Sequence, residues 1–155
     1  MAVKSLEENV LDPALDAIDA QFAEQPLVQA RLLQSIADTM LHLDRADSAV
    51  EPQAKALELR RRALGDDHPD TIESALGRAY VHDDLADHAV AEQYYTDVLE
   101  TALRVLGADH PTTLEVTNGI GIITWIRRDY EEAEPILRDT LERRRRVLGL
   151  SLIHI

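Results

Sequence analysis

Three clusters of carboxylate and imidazole side chains stand out: Asp66-Asp67-His68, Asp109-His110 and His82-Asp83-Asp84. Such groups are the material of acid–base chemistry or of a metal site. Their placement argues for something plainer. The first cluster lies in Ala63-Leu-Gly-Asp-Asp-His-Pro-Asp-Thr71. That segment returns 42 residues on (105 − 63) as Val105-Leu-Gly-Ala-Asp-His-Pro-Thr-Thr113. A motif that recurs at a fixed period is a connector of the fold. Adjacent residues on one turn also do not converge on one ion. His82 and His88 flank a corner, where solvated histidines are expected. No nucleophile–base pair or phosphate loop is present, and Gly119-Ile-Gly121 falls inside a helical pattern rather than in a nucleotide loop. The sequence therefore predicts no catalytic residue, no metal, no cofactor and no enzymatic activity.

The same period organises the helices. Leu15, Leu57, Leu99 and Leu141 share one register, as do Phe22, Leu64, Leu106 and Leu148. So do Ala49, Ala91 and Ala133, and the small residues Ala37, Ala79 and Gly121. The leucines are expected to be core anchors, and the small residues to sit where two helix backbones approach closely. Each repeat then reads as helix A, a short turn, helix B and the Leu-Gly-Asp-His-Pro connector. Gly65 and Gly107 are expected to end helices in the left-handed conformation. Pro69 and Pro111 open the next helices, with Asp67-His68 and Asp109-His110 placed to cap them. Arg60–Arg62 and Arg143–Arg146 are expected in last turns, opposing the helix dipole.

Residues 1–11 have no strong pattern and are expected to be frayed. Asp12 as N-cap and Pro13 open an orphan B helix over 12–24. Repeats follow at about 28–65, 69–107 and 111–149, with Pro52 in the first turn of the first helix B. The pattern predicts an all-α right-handed α-solenoid of about seven helices. After Leu148-Gly149 the period calls for another connector, but the chain reads Leu150-Ser-Leu-Ile-His-Ile155. This tail resembles the translated read-through of a sequencing adapter. Residues 150–155 are expected to be a non-native or truncation tail on a piece of a longer protein, the alternative being a genuine hydrophobic cap.

The chain has 155 residues, a formal net charge of −13, no cysteine and 45% hydrophobic residues, but only 4% aromatic ones. This suits a core of Leu, Ile and Ala between helices. The negative charge argues against a nucleic-acid partner, which requires a basic face. The apolar run Ile120–Ile126 is too short to cross a bilayer, so no membrane partner and a cytoplasmic location are expected.

The repeat resembles the 42-residue tetratricopeptide repeat of the kinesin-light-chain type. The resemblance rests on Asp129-Tyr-Glu-Glu-Ala-Glu134, Val147-Leu-Gly149 and the two His-Pro-x-Thr loops, within about residues 12–149. Residues 12–36 also resemble the lead-in of bacterial serine/threonine kinases that carry such repeats. Ala86 stands where the family usually has a glycine, and Trp125-Ile-Arg-Arg128 occupies the same corner one repeat later.

The resemblance implies a protein–protein interaction module whose A helices line a concave groove. Counting from Ala37, Ala79 and Gly121 assigns Arg31, Gln34, Asp38 and Leu41 to the groove in the first repeat. The second contributes Glu73, Leu76, Tyr80, Asp83 and Asp84, and the third Glu115, Asn118, Ile122 and Trp125. Asn118 matches the family's asparagine that bonds a peptide backbone. Trp125, the only tryptophan, is read either as an interface anchor or as packing against a neighbouring helix. The acidic set favours a basic or neutral peptide or protein segment. The alternatives are an accessory region of a bacterial serine/threonine kinase with catalysis elsewhere, or a self-associating spacer forming an end-to-end homodimer through its uncapped last repeat.

Overall fold

The computed structural model describes residues 10–153 and contains seven α-helices among them. They are α1 Asp12–Gln21, α2 Pro26–His42, α3 Ala46–Leu64, α4 Pro69–Asp84, α5 His88–Val105, α6 Pro111–Ile126 and α7 Tyr130–Ile153. The fold is all-α, and its helices alternate as A and B elements. None of the described helices is long and apolar enough to cross a membrane. The chain forms two compact units, the first ending at Ala86 and the second beginning at Asp87.

Within the first unit, α2 and α3 form a pair, with α1 and α4 packed against it. Ala30, Leu33 and Ala56 make one core cluster, flanked by Leu15, Ile18 and Leu59. Ala37 and Ala49 meet Val81 in another. In the second unit, α7 packs on α6 and α6 on α5, around Tyr95, Val98, Leu114, Ile123 and Ala133. The small residues lie where the period places them: Ala37, Ala79, Ala49, Ala91 and Ala133 are fully buried. A Cβ on Gly121 would come within 2.7 Å of Leu137.

A second close approach joins one repeat to the next. A Cβ on Gly77 in α4 would lie 2.2 Å from Gln53 Nε2 in α3. A Cβ on Gly119 in α6 would lie 2.5 Å from the ring of Tyr95 in α5. The two glycines are one period apart (119 − 77), and so are the two side chains that they receive (95 − 53). The glycines of α4 and α6 therefore each seat the large side chain of the preceding B helix.

The connectors are built by their histidines. His68 is the N-cap of α4, and its Nδ1 accepts the N–H of Asp70 at 3.1 Å. His110 caps α6 in the same way, accepting from Thr112 at 3.2 Å. The neighbouring aspartates do other work: Asp66 pairs with Arg61 at 2.8 Å, and Asp109 receives Arg143 and Arg146 at 3.2 and 3.1 Å. Gly65 and Gly107 have φ of +85° and +89°. With ψ of 168°, Gly65 lies in the mirror-extended region that is open essentially to glycine alone, rather than in the left-handed helical one.

Several expectations are corrected. Asp12 is not an N-cap: Leu11 is already helical (φ −71°, ψ −53°), so Asp12 sits inside the first turn. Leu11 is also buried, which the unpatterned N-terminus did not suggest; residues 1–9 lie outside the described residues. Helix α3 starts at Ala46, so Pro52 falls in the helix interior. Helix α7 continues through Gly149 to Ile153. Arg143–Arg146 are therefore mid-helix, and Gly149 ends nothing. Leu141 and Leu148 are 48% and 64% exposed and are not core anchors.

The A-to-B corners share one strained residue. Asp44, Ala86 and Arg128, each one period apart, have φ of 55°, 57° and 70°. At two of these corners the following N–H reaches back five residues, Arg45 to Met40 and Asp129 to Thr124, closing a Schellman-type cap. A side chain in this conformation costs roughly 1–2 kcal/mol. Replacing Ala86 by glycine is expected to stabilise the fold by about 0.5–1 kcal/mol, read as a higher urea midpoint at unchanged slope.

Candidate functional site

The residues assigned to a binding face separate into three groups. Asp38, Glu73, Asp84, Glu115, Ile122 and Trp125 are exposed on A helices. Tyr80, Asp83 and Asn118 are half-buried. Gln34, Leu41 and Leu76 are turned inward. Leu76 is 2% exposed, and Leu41 packs against the Ala37–Ala49–Val81 cluster.

Gln34 shows why. Its amide pairs reciprocally with that of Gln53, at 2.8 and 3.1 Å. Gln53 Nε2 also donates to the Ser74 carbonyl at 2.8 Å. Arg60, expected in an exposed last turn, is 9% exposed. It donates to the Ser74 hydroxyl, and more weakly to the Asp70 carbonyl and Gln34 at 3.4 Å. This is a polar cluster buried between α2, α3 and α4. The Arg60 guanidinium meets no carboxylate among the described residues, and its hydrogen bonds to neutral oxygens offset only part of the cost of burying its charge. Gln34, Leu76 and Asn118 occupy one register (76 − 34, 118 − 76), so this position of an A helix faces into the layer. One period on from Gln53 and Arg60 stand Tyr95 and Ala102, and the polar cluster gives way to apolar packing.

Asn118 inherits that position without a partner to meet. The residue one period on from Tyr95 is Leu137, which offers no hydrogen bond. Among the described residues the Asn118 amide makes none. Together with Glu115, Ile122 and Trp125 it recurs at the three-to-four-residue spacing that places side chains on one helix face.

Trp125 is 51% exposed. Its ring meets Tyr130 of α7 edge-on, with centroids 4.8 Å apart. Ile126 and Tyr130 beside it are 46% and 48% exposed. In the sequence Tyr130 belongs to the repeat motif Asp129-Tyr-Glu-Glu-Ala-Glu134, which by itself does not point to this contact. Its place directly after the strained Arg128 corner was the available signal. Arg127 fixes this corner, reaching both oxygens of Glu92 in α5 at 2.5 and 2.7 Å and Asp129 at 2.9 Å. These carboxylates, Glu92 foremost, raise the guanidinium's affinity for its proton.

In the first unit, partial burial pushes the Asp84 carboxyl up, and the neighbouring charges of Asp83 and Asp44 add to it. His82 is half-buried rather than solvated. The described residues contain no group of three or more His, Asp or Glu side chains that could hold a metal ion.

The tetratricopeptide repeat family model matches residues 28–103 and 84–146. Among solved structures the chain is similar to BtubC (BKLC) from P. vanneervenii, at 21% identity and a TM-score of 0.69. The match covers 79% of this chain and 48% of that one, so this chain spans about half the length of that protein. No curated protein matches it. The family match lies on the repeats, and neither match bears on the expected resemblance of residues 12–36 to a kinase lead-in.

A carboxyl whose folded pKa is raised weakens the fold once it is ionised. In the window just above the ordinary aspartate value, the folded state holds more proton than the unfolded one, and stability falls as pH rises. Asp84→Asn is therefore expected to raise stability at neutral pH, by under about 1 kcal/mol for a surface charge. The gain should vanish as pH is lowered below the aspartate range, as denaturation at a series of pH values would show.

Proposed function

The chain belongs to the tetratricopeptide repeat family, and from that premise we propose that it binds a peptide or partner protein in a concave groove lined by its A helices. Repeats of this family generally mediate protein–protein interaction and are typically scaffolds rather than enzymes. The observation that carries the finer reading is the α6 face. The Asn118 amide, without a partner among the described residues, lies on one helix face with the exposed Ile122 and the exposed Trp125. An amide both donates and accepts, as an extended main chain requires. A half-exposed tryptophan beside a tyrosine supplies the apolar anchor that interface hot spots favour.

The acidic side chains support a basic or neutral ligand. Glu73, Asp83 and Asp84 lie on α4 and Glu115 on α6, and Asp84 already resists ionisation. Burial is the larger cause, and a lysine or arginine from a partner would offset the neighbouring charges of Asp83 and Asp44 that add to it. Gln34, Leu41 and Leu76 are left out of the contact set because their side chains are engaged in packing.

The test is Trp125 fluorescence with acrylamide quenching, before and after addition of a pool of short basic and neutral peptides. The free protein should emit to the red and quench readily; bound peptide should shift the emission to the blue and protect it. Asn118→Ala should weaken binding of the selected peptide about tenfold, the effect of roughly 1.4 kcal/mol from lost hydrogen bonds. Emission that ignores every peptide, or full affinity in the variant, would contradict the reading.

A further inference from the structure

A cavity of about 210 Å³ lies in the second unit, between the C-terminal half of α5, the start of α6 and the middle of α7. It shares no residue with the A-helix face described above. Leu99, Leu103, Ala108 and Leu114 give it an apolar wall. The mouth departs from the repeat. Leu103 is 45% exposed beside the cavity. One period earlier, the positions of Leu103 and Ala108 hold Arg61 and Asp66, which pair at 2.8 Å. The ion pair of the earlier connector is thus replaced by two apolar side chains, one of them left bare.

The rest of the wall is polar. Thr113, Thr117 and Thr140 all line the cavity. The hydroxyls of Thr117 and Thr140 donate to carbonyls of their own helices, at 2.8 and 2.7 Å. Thr113 is 1% exposed, and its hydroxyl has no hydrogen-bond partner among the described residues. A buried hydroxyl left unpaired is costly. Thr71, one period earlier, is left in the same state, but there Arg61 and Asp66 stand in place of the apolar mouth. The charges at the rim cancel. Asp139 and Asp109 receive Arg143 at 2.7 and 3.2 Å, and Asp109 also receives Arg146 at 3.1 Å. Two cations face two carboxylates, so the site favours a neutral group.

Size narrows the choice. An apolar cavity of about 150 Å³ takes a benzene ring, so this one has room for a ring bearing a hydroxyl. It falls short of the roughly 300 Å³ at which pockets for free small molecules begin. A group this small is held largely through what it is attached to. We propose that the cavity receives a tyrosine side chain of a partner protein. The ring lies against Leu99, Leu103 and Leu114, and the phenol hydroxyl pairs with that of Thr113. This docking point does not rest on the peptide reading of the A helices.

The experiment follows the leucine methyl resonances of the full chain by NMR during titration with Ac-Gly-Tyr-Gly-amide, its phenylalanine counterpart and p-cresol. The tyrosine peptide should move the signals of Leu99, Leu103 and Leu114 through its ring current. It should bind about fivefold more tightly than the phenylalanine peptide, the factor of one net hydrogen bond. Thr113→Val keeps the shape of the side chain and should erase that preference. Leu103→Arg combined with Ala108→Asp restores the ion pair of the earlier connector and should abolish binding of both peptides. Unchanged circular dichroism would verify that the variants fold. Equal affinity for the two peptides in the wild type, a preference that survives Thr113→Val, or full binding by the double variant overturns the proposal. So do methyl signals that no probe moves, and so does entry of p-cresol alone, which would assign the cavity to a free phenol.

Discussion

The distance between one repeat and the next is set by a glycine. One A helix in each unit, α4 or α6, presents Gly77 or Gly119 to a long side chain of the preceding B helix, and no Cβ fits between them. Closeness at that point lets the helices bury neighbouring residues such as Leu57 and Leu114. Helix packing at native density leaves no slack to absorb an added methyl group. The His-Pro connector then delivers the A helix to this seat at a fixed starting point, because the imidazole caps the first turn and proline pre-sets its backbone.

The same seat is filled by different chemistry in the two units. Gln53 lies under Gly77 and extends a polar cluster through Gln34, Ser74 and Arg60. Tyr95 lies under Gly119, and Ala102 and Val116, one period on from Arg60 and Ser74, are buried. One backbone geometry thus tolerates a polar or an apolar interior, provided that each is internally consistent. A half-polar version would leave buried groups unpaired and would be less stable than either. Asn118, in the register of Gln34, has Leu137 at the position that corresponds to Gln53, and it is the place where that consistency lapses.

Much of the fold was legible because the signals were periodic. The helix pairs, the His-Pro loops and the positive φ of Gly65 and Gly107 follow from residues that repeat at one spacing, and Ala86 does adopt the conformation usually given to glycine. What the sequence hid was direction. Gln34, Leu76 and Asn118 count onto a groove face, yet the wheel position is borderline, and Gln53 and Ser74 draw Gln34 inward. Arg60 looks like a helix-end cation but donates to carbonyl and hydroxyl oxygens ten and fourteen residues away in sequence, which no local pattern encodes. Gly77 and Gly119 were passed over in favour of Ala37, Ala79 and Gly121, since one period holds two close approaches. The reach of α7 beyond Gly149 was missed because a glycine ends a helix only when the chain turns there.

The most direct test of the glycine seat is a double-mutant cycle between Gly119→Ala and Tyr95→Leu, followed by urea denaturation. Alanine is the better helix former by about 1 kcal/mol, so intrinsic propensity and packing predict opposite signs. If the seat governs the spacing, Gly119→Ala destabilises the wild type by about 1–3 kcal/mol, as overpacking does, and becomes neutral or stabilising once the Tyr95 ring is removed. If Gly119→Ala stabilises the protein equally in both backgrounds, the ring does not depend on the missing Cβ, and the account of how the repeats meet is wrong.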